Sequence, residues 1–270
     1  GSISKDFAPH AVKAGAVVID NSSAFRMDPE VPLVVPEVNP QAILKHKGII
    51  ANPNCSTIIM VMALKPIYDL AKIKRVIVST YQAVSGAGKE GIDELDAQVR
   101  DHSEGREMTA NILPSASAEK HYPIAFNLIP QIDVFCDNLY TKEEMKMVNE
   151  TKKIMEDYEM RITATTIRVP VYRSHSESVN IELEKEVDLG AMREALAKFP
   201  GVTVQDDPSK QEYPMPLYTS EKDDVYVGRL RRDESCEKSY NMWVVGDQIR
   251  KGAALNTLQI AETMIKNGWI

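Results

Sequence analysis

Apolar residues recur along this chain with two different periods, and the switches between them divide it into short buried strands, longer half-buried strands and helices. A helix is predicted over Phe7–Lys13. The apolar run Ala14–Asp20 that follows reads as a buried parallel strand, so the residues open inside a βαβ series. A second short strand is predicted over Gly48–Pro53, stopped by proline, and Ile58–Leu70 then carries apolar residues at helical spacing. Lys74–Val84 alternates over enough positions for a long strand, Ser85-Gly86-Ala87-Gly88 breaks it, and Lys89–Arg100 returns to the helical period. Residues 101–123 are polar and weakly periodic, which predicts a surface excursion.

The remainder is mixed. A charged helix is expected over Lys142–Tyr158, strands at Arg161–Val169 and Ser178–Leu183, a helix at Leu189–Lys198, and strands near Val225–Leu230 and Tyr240–Val245. Pro208–Leu217 reads as loop, and Arg250–Lys266 is an amphipathic helix able to return onto the first part of the chain. The predicted class is α/β: a partial Rossmann-type parallel sheet, followed by an α+β domain with a mixed sheet. The expected division gives residues 1–55 and 247–270 to the first unit and 56–246 to the second. A glycine-rich turn is expected at the first βα connection of a dinucleotide-binding sheet, and no G-x-G-x-x-G or close variant is read anywhere in the chain. The fold is therefore either no dinucleotide binder or a portion of one.

Composition narrows the functional class. With 270 residues, 43% hydrophobic and 26% charged, the chain has enough material for a substantial core. Its net charge of -7 argues against nucleic acid as the main partner, while leaving room for a local basic pocket. No apolar run approaches the ~20 residues that span a bilayer, and no secretory leader pattern opens the sequence, so a cytoplasmic protein is expected. Three cysteines, Cys55, Cys136 and Cys236, form no C-x-x-C pair and fit reduced thiols better than disulfides or a zinc site.

The candidate chemistry centres on Asn54-Cys55-Ser56-Thr57. That segment puts a thiol at a helix N-terminus, where unpaired amides and the positive end of the macrodipole favour thiolate and hence a nucleophile. A lone cysteine is more often a small buried hydrophobe, and both readings stand on the turn alone. Gln82 lies among apolar neighbours just before the Ser-Gly-Ala-Gly turn, placed to hydrogen-bond a substrate or merely a neighbouring backbone group. Arg168 and His175 flank a strand end. The arginine fork suits a carboxylate and the imidazole suits proton transfer, against the commoner fates of surface ion pair and turn histidine. His10, His46, His102 and His121 sit in polar, loop-like contexts and carry no functional assignment.

Six segments in order, Asp20–Met27, Val34–Asn39, Asn52–Thr57, Gln82–Gly88, Arg168–Glu177 and Gly246–Thr257, resemble the aspartate-semialdehyde dehydrogenase family over essentially the whole chain. The resemblance implies reduction of L-aspartyl-4-phosphate to aspartate-4-semialdehyde with NADP(H), in aspartate-family amino-acid biosynthesis. It implies Cys55 as the nucleophile that forms a thioester, His175 as acid/base, and Gln82 as the group orienting the intermediate. It further implies that Arg168 clamps the substrate carboxylate and Glu143 meets the amino group, while Arg26, Asn54 and Lys146 form a phosphate pocket. Asn21, Ser85, Gly86, Gly88 and Gln248 resemble positions that approach the cofactor. The family implies a homodimer built through the second domain.

Without the glycine-rich turn, these residues are expected to bind NADPH more weakly than an enzyme that has it. Two alternatives are carried forward: a non-catalytic substrate-binding and dimerisation fragment, and a sister reductase acting on N-acetyl-glutamyl phosphate or glyceraldehyde phosphate. The Asn-Cys-Ser-Thr setting, with Gln82 and the spaced Arg168 and His175, speaks against the sister enzyme. A thiol hydrolase fits less well, since no Cys/His/Asn order stands out.

Overall fold

Two parallel strands and a six-stranded mixed sheet share one apolar helix, in a computed structural model that describes all 270 residues. The small sheet pairs β1 (Val18–Asp20) with β2 (Ile49–Ala51) in parallel. The large sheet contains β3 (Ile73–Gln82), β4 (Arg161–Arg168), β5 (His175–Leu183), β6 (Val202–Val204), β7 (Val225–Arg232) and β8 (Ser239–Gly246), in the order β4-β3-β5-β8-β7-β6.

The helix between the sheets is α2 (Cys55–Leu70), which is apolar nearly all round and has eleven buried residues, as expected of a helix covered on every side. Its side chains join those of β3, β5, β7 and β8 in one cluster that also takes in Leu33, Val35 and Ala51 from the first part of the chain. One core therefore runs from the small sheet to the large one. Helices α4 (Lys142–Met155) and α5 (Leu189–Lys198) lie beside α2 on the same face of the large sheet. Along β3, Val76, Val78 and Thr80 are buried on that face, and Ile77, Ser79 and Tyr81 alternate with them as half-buried residues on the other.

The C-terminal helix α7 (Leu255–Asn267) does return to the first part of the chain. Ile260 and Met264 pack with Val34, Ala42, Ile43 and Ile50. The buried Lys251 locks this return, because its three N–H donors reach Glu37 Oε2 (2.6 Å), Asn256 Oδ1 (3.0 Å) and Gln259 Oε1 (2.7 Å).

Several predicted elements differ from those found. The first helix, α1, covers Ser2–Lys13, and the strand after it is only Val18–Asp20, because Gly15 at φ +91° ends the helix in a turn. Helix α2 begins at Cys55 rather than Ile58, since Asn54 caps it. Helix α3 (Lys89–Ser103) runs three residues past Arg100. Strand β6, three residues long, is too short to carry a period, and the loop at 208–217 holds a 3-10 turn (Pro208–Lys210) and the start of a one-turn helix, α6 (Pro216–Thr219). The expected surface excursion after residue 100 is only partly that. Leu113, Ile124, Ala125 and Ile129 are buried against Val84 and Leu95, and Gln98 of α3 ties the loop down by accepting from Ile124 N (2.8 Å) and Ala125 N (3.0 Å). The weak periodicity reflects a segment held by side-chain to backbone bonds instead of a regular element.

Candidate active site

The first turn of α2 opens on a cavity of about 410 Å³ that brings together Cys55, His175, Gln82, Arg168, Glu143, Lys146, Arg26 and Asn54. Gly86 and Ala87 form part of its wall, as do Ile112, Pro114 and Ser115 from the loop described above. Residues far apart in sequence meet here because β3, β4 and β5 are neighbours and end at the same edge: Gln82 pairs with Arg168 in register, and His175 opens β5.

Asn54 sets the geometry of the thiol. Its Oδ1 accepts from Ser56 N (3.1 Å) and Thr57 N (3.2 Å), capping α2. Those are the amides expected to favour a thiolate at Cys55, and the cap has engaged them. Burial first and then Glu143 push the half-buried Cys55 thiol up, Arg26 and Arg168 pull it back, and it stands at about 12. The expectation of a thiolate drawn out by the helix end alone is thus corrected: in this arrangement the resting sulfur is protonated.

Glu143 is the hub. The capping box of α4, with Thr141 N donating to Glu144 Oε2 (2.7 Å) and Glu144 N to Thr141 Oγ1 (3.3 Å), starts the helix so that Glu143 turns inward. Its Oε1 accepts from Asn54 Nδ2 (3.0 Å) and Gln82 Nε2 (3.1 Å), and its Oε2 from Lys146 Nζ (3.1 Å). Burial opposes its ionisation, but Lys146 and the two amides outweigh burial and hold the carboxyl below the usual range. The Gln82 amide is fixed from its other end by Thr80 Oγ1, which donates to Gln82 Oε1 at 3.1 Å. Lys146 also donates to Asp133 Oδ2 (3.0 Å).

The backbone of a single residue, Ala83, holds the other two functional groups. Ala83 N donates to His175 Nδ1 (3.0 Å), and Ala83 O accepts from Arg168 Nη1 (2.7 Å). With Nδ1 accepting, the neutral imidazole of His175 carries its proton on Nε2, which is buried and has no partner within the protein. Burial, with Arg168 beside it, keeps the ring well below its ordinary range and hence neutral. Arg168 Nε is likewise buried and unpartnered, leaving a cation with open donors in the cavity wall. A Cβ at Gly86 would stand 2.7 Å from Arg168 Nη1 and 3.4 Å from His175 Nε2, so the turn must approach these side chains without one.

The remaining residues lie at the margins. Arg26 donates from Nε to Asn52 O and from Nη2 to Asn21 O, both at 2.9 Å. Asn21 is not in the cavity wall, and its side chain accepts from Asn52 Nδ2 (2.7 Å). Ser85 Oγ accepts from Gln248 Nε2, and Gln248 Oε1 accepts from Ser174 N (2.8 Å), next to His175. Gly88 takes φ +85° at the start of α3 (Lys89–Ser103), with open space where a Cβ would stand. The reading that no G-x-G-x-x-G occurs in the chain is corrected by this turn. In the fold, Gly86-x-Gly88-x-x-Gly91 closes β3 and opens α3, with Gly91 against Val84 O.

Glu150 and the Ala83 backbone were not legible as site components. Glu150 shares a helix face with Glu143 and Lys146 at i, i+3 and i+7, a spacing visible in the sequence. No sequence signal marks the two peptide atoms of Ala83.

Residues 64–251 match the family described as semialdehyde dehydrogenase, dimerisation domain, and residues 1–46 match semialdehyde dehydrogenase, NAD binding domain. The aspartate-semialdehyde dehydrogenase of Aquifex aeolicus is 57% identical over 272 residues, which covers 100% of this chain and 78% of that protein. The chain belongs to the aspartate-semialdehyde dehydrogenase family. The Bacillus subtilis enzyme of that name is 54% identical, over 98% of this chain and 77% of its own length. The crystal structure of aspartate semialdehyde dehydrogenase II from Vibrio cholerae complexed with ASA superposes with a TM-score of 0.93 at 47% identity, covering 98% of this chain and 77% of that one. That of the Candida albicans family member with NADP gives 0.75 at 25%, covering 100% and 76%. The six motifs and the mixed-sheet class read from the sequence agree with these matches.

Proposed function

We propose that this chain converts L-aspartyl-4-phosphate to L-aspartate-4-semialdehyde with NADPH, through an acyl thioester on Cys55. The observation that carries the reading is the cavity itself, with a thiol, an imidazole Nε2–H and the open donors of a buried guanidinium in one wall. Arg168 takes the substrate α-carboxylate, and Glu143, the buried anion nearest the thiol, faces the ammonium. Such a cation also removes part of the charge that holds the thiol up at about 12, so substrate entry itself favours the thiolate.

Once the Sγ proton has passed to solvent, the thiolate attacks the acyl carbon, the carbon–oxygen bond to phosphate breaks, and phosphate leaves toward Arg26 and Lys146. His175 acts from Nε2 as a donor to the oxygen on which charge develops, because the Ala83 amide occupies the nitrogen that would otherwise serve as base. Gln82, clamped at both ends, fixes the position of Glu143 beneath the reacting carbon. Asn54 contributes through the cap and Glu143 rather than through a free amide.

The turn at Ser85, Gly86 and Gly88, with Gln248 behind it, fits a flat ring beside His175, since Gly86 leaves no side chain in the way. NADPH held there would supply a hydride to the acyl carbon, and the carbon–sulfur bond then breaks to free the aldehyde and the Cys55 thiolate. The first unit, 1–55 with 247–270, is read as the nucleotide side and 56–246 as the catalytic and dimerisation side. A homodimer through the uncovered face of the large sheet accounts for the half-buried Ile77, Tyr81, Ile167 and Trp243 there. No helix is long and apolar enough to cross a membrane, and the cytoplasm is the proposed location. The test is phosphate-dependent reduction of NADP with aspartate semialdehyde: turnover requiring both phosphate and Cys55 is expected, and turnover indifferent to phosphate contradicts the proposal.

A further inference from the structure

Glu150 is the buried charge in this region to which the mechanism gives no task. It sits on α4 one turn beyond Lys146, with a side chain 1% exposed, and its two oxygens do different things. Oε2 accepts from Asn54 N at 2.6 Å, the amide immediately before Cys55, and Oε1 lies 3.3 Å from Arg26 Nη1. A charge-assisted bond to a guanidinium is ordinarily about 2.7–2.9 Å, so the amide is held tightly and the guanidinium loosely.

Arg26 does not need Glu150 to keep its orientation. Asn52 O and Asn21 O fix its plane at 2.9 Å each, and Lys153 Nζ secures the loop around it by donating to Arg26 O (2.8 Å), Asp28 O (2.7 Å) and Val31 O (2.8 Å). Counting Glu150, three of its five donors are engaged within the protein, and two remain for an anion in the cavity. What Glu150 changes is the net charge that an entering oxyanion meets.

We propose that Glu150 is a positioning residue acting through Arg26: its carboxylate is a built-in counter-charge that weakens the hold on an oxyanion, so that phosphate departs once Cys55 is acylated. Its second oxygen meanwhile holds the peptide that carries Cys55. The proposal rests on the reading of Arg26 as the phosphate site. The sign of the effect separates it from a structural role. An isosteric amide in place of a structural prop loosens a site or leaves it unchanged, whereas removing a counter-charge tightens it.

The experiment uses the full chain and its Glu150→Gln variant, with inorganic phosphate as probe. Protection of Cys55 from iodoacetamide is followed by peptide mass, and each protein is normalised to its own unprotected rate. The phosphate concentration giving half protection is expected to fall about tenfold in Glu150→Gln, while that for aspartate, which engages Arg168, moves less than twofold. In an Arg26→Gln background the same change is expected to move phosphate protection less than twofold.

Unchanged or weakened phosphate protection overturns the proposal, as does equal tightening toward aspartate, or tightening that persists without Arg26. Should Glu150→Gln not fold by circular dichroism, Glu150→Met removes the same charge. Failure of both to fold overturns the proposal by making Glu150 a prop of the structure. If aspartate gives no protection even in the unaltered chain, the substrate reading falls and the phosphate comparison still stands.

Discussion

Gly86→Ala disturbs substrate recognition while leaving every catalytic side chain in place. The added Cβ would stand 2.7 Å from Arg168 Nη1, well inside an ordinary contact of about 3.5 Å, so the guanidinium must retreat by roughly half an ångström or more. The same Nη1 donates to Ala83 O at 2.7 Å, and that bond breaks or bends as the group moves. A hydrogen bond from a charged donor is worth about 1.5–3 kcal/mol, which corresponds to a factor of roughly 10–150 in an equilibrium constant. The backbone itself tolerates alanine, since Gly86 does not occupy the left-handed region. The bond is internal to the fold, so its loss also lowers stability, offset in part by up to about 1 kcal/mol from the stiffer unfolded chain. The assay is KM for aspartate semialdehyde at saturating phosphate and NADP, beside a thermal melt. The expected result is a 10- to 150-fold rise in KM with a Tm lower by no more than a few degrees. An unchanged KM would refute the argument that Gly86 exists to let Arg168 and Ala83 meet.

Three further outcomes follow from the buried polar groups. Alkylation of Cys55 in the unliganded chain should climb about tenfold per pH unit from pH 7 to 10 without a plateau, because the thiol lies at about 12; Glu143→Gln should move the curve to lower pH, and a plateau below pH 9 in the unaltered chain would contradict this. Burial holds the Glu177 carboxyl well above its usual range, so the folded chain keeps a proton there that the unfolded chain releases above about pH 4.5. That stabilising difference is complete below pH 4.5 and is lost by about 1.4 kcal/mol per unit as pH rises toward the folded value. Urea unfolding should accordingly show Glu177→Gln gaining on the unaltered chain at pH 7.5 relative to pH 4, and an equal difference at both would rule it out. Asn54→Ala removes the cap bonds to Ser56 N and Thr57 N at a cost of about 1 kcal/mol, a fall in Tm of about 2–4 °C, with no fall expected if water replaces the cap.

The sequence carries the parts of this molecule that follow from regular spacing. The period of β3, the apolar spacing of α2 and the amphipathic C-terminal helix each repeat often enough to be read, and the last returns to the first part of the chain as expected. Segments fixed by single side chains are different. The loop at 104–129 is shaped by Gln98 and Glu94 gripping its amides, a relation that no local pattern encodes. At the site, residue types announce Cys55, Arg168 and His175, but their states come from neighbours remote in sequence. Asn54 engages the amides thought to activate the thiol, and the Ala83 peptide decides which imidazole nitrogen bears the proton. Glu150 shows the same limit: its helical spacing with Lys146 is legible, but its contact with Arg26 crosses 124 residues of sequence.

Acylation of the chain by aspartyl-4-phosphate alone, without nicotinamide, tests the central claim most directly, because it isolates the step assigned to Cys55. Mass spectrometry should show one aspartyl group per chain on the peptide carrying Cys55, equimolar phosphate released, discharge by hydroxylamine, and no label in Cys55→Ser. A chain that stays unmodified, or that carries the group on another residue, would contradict the account.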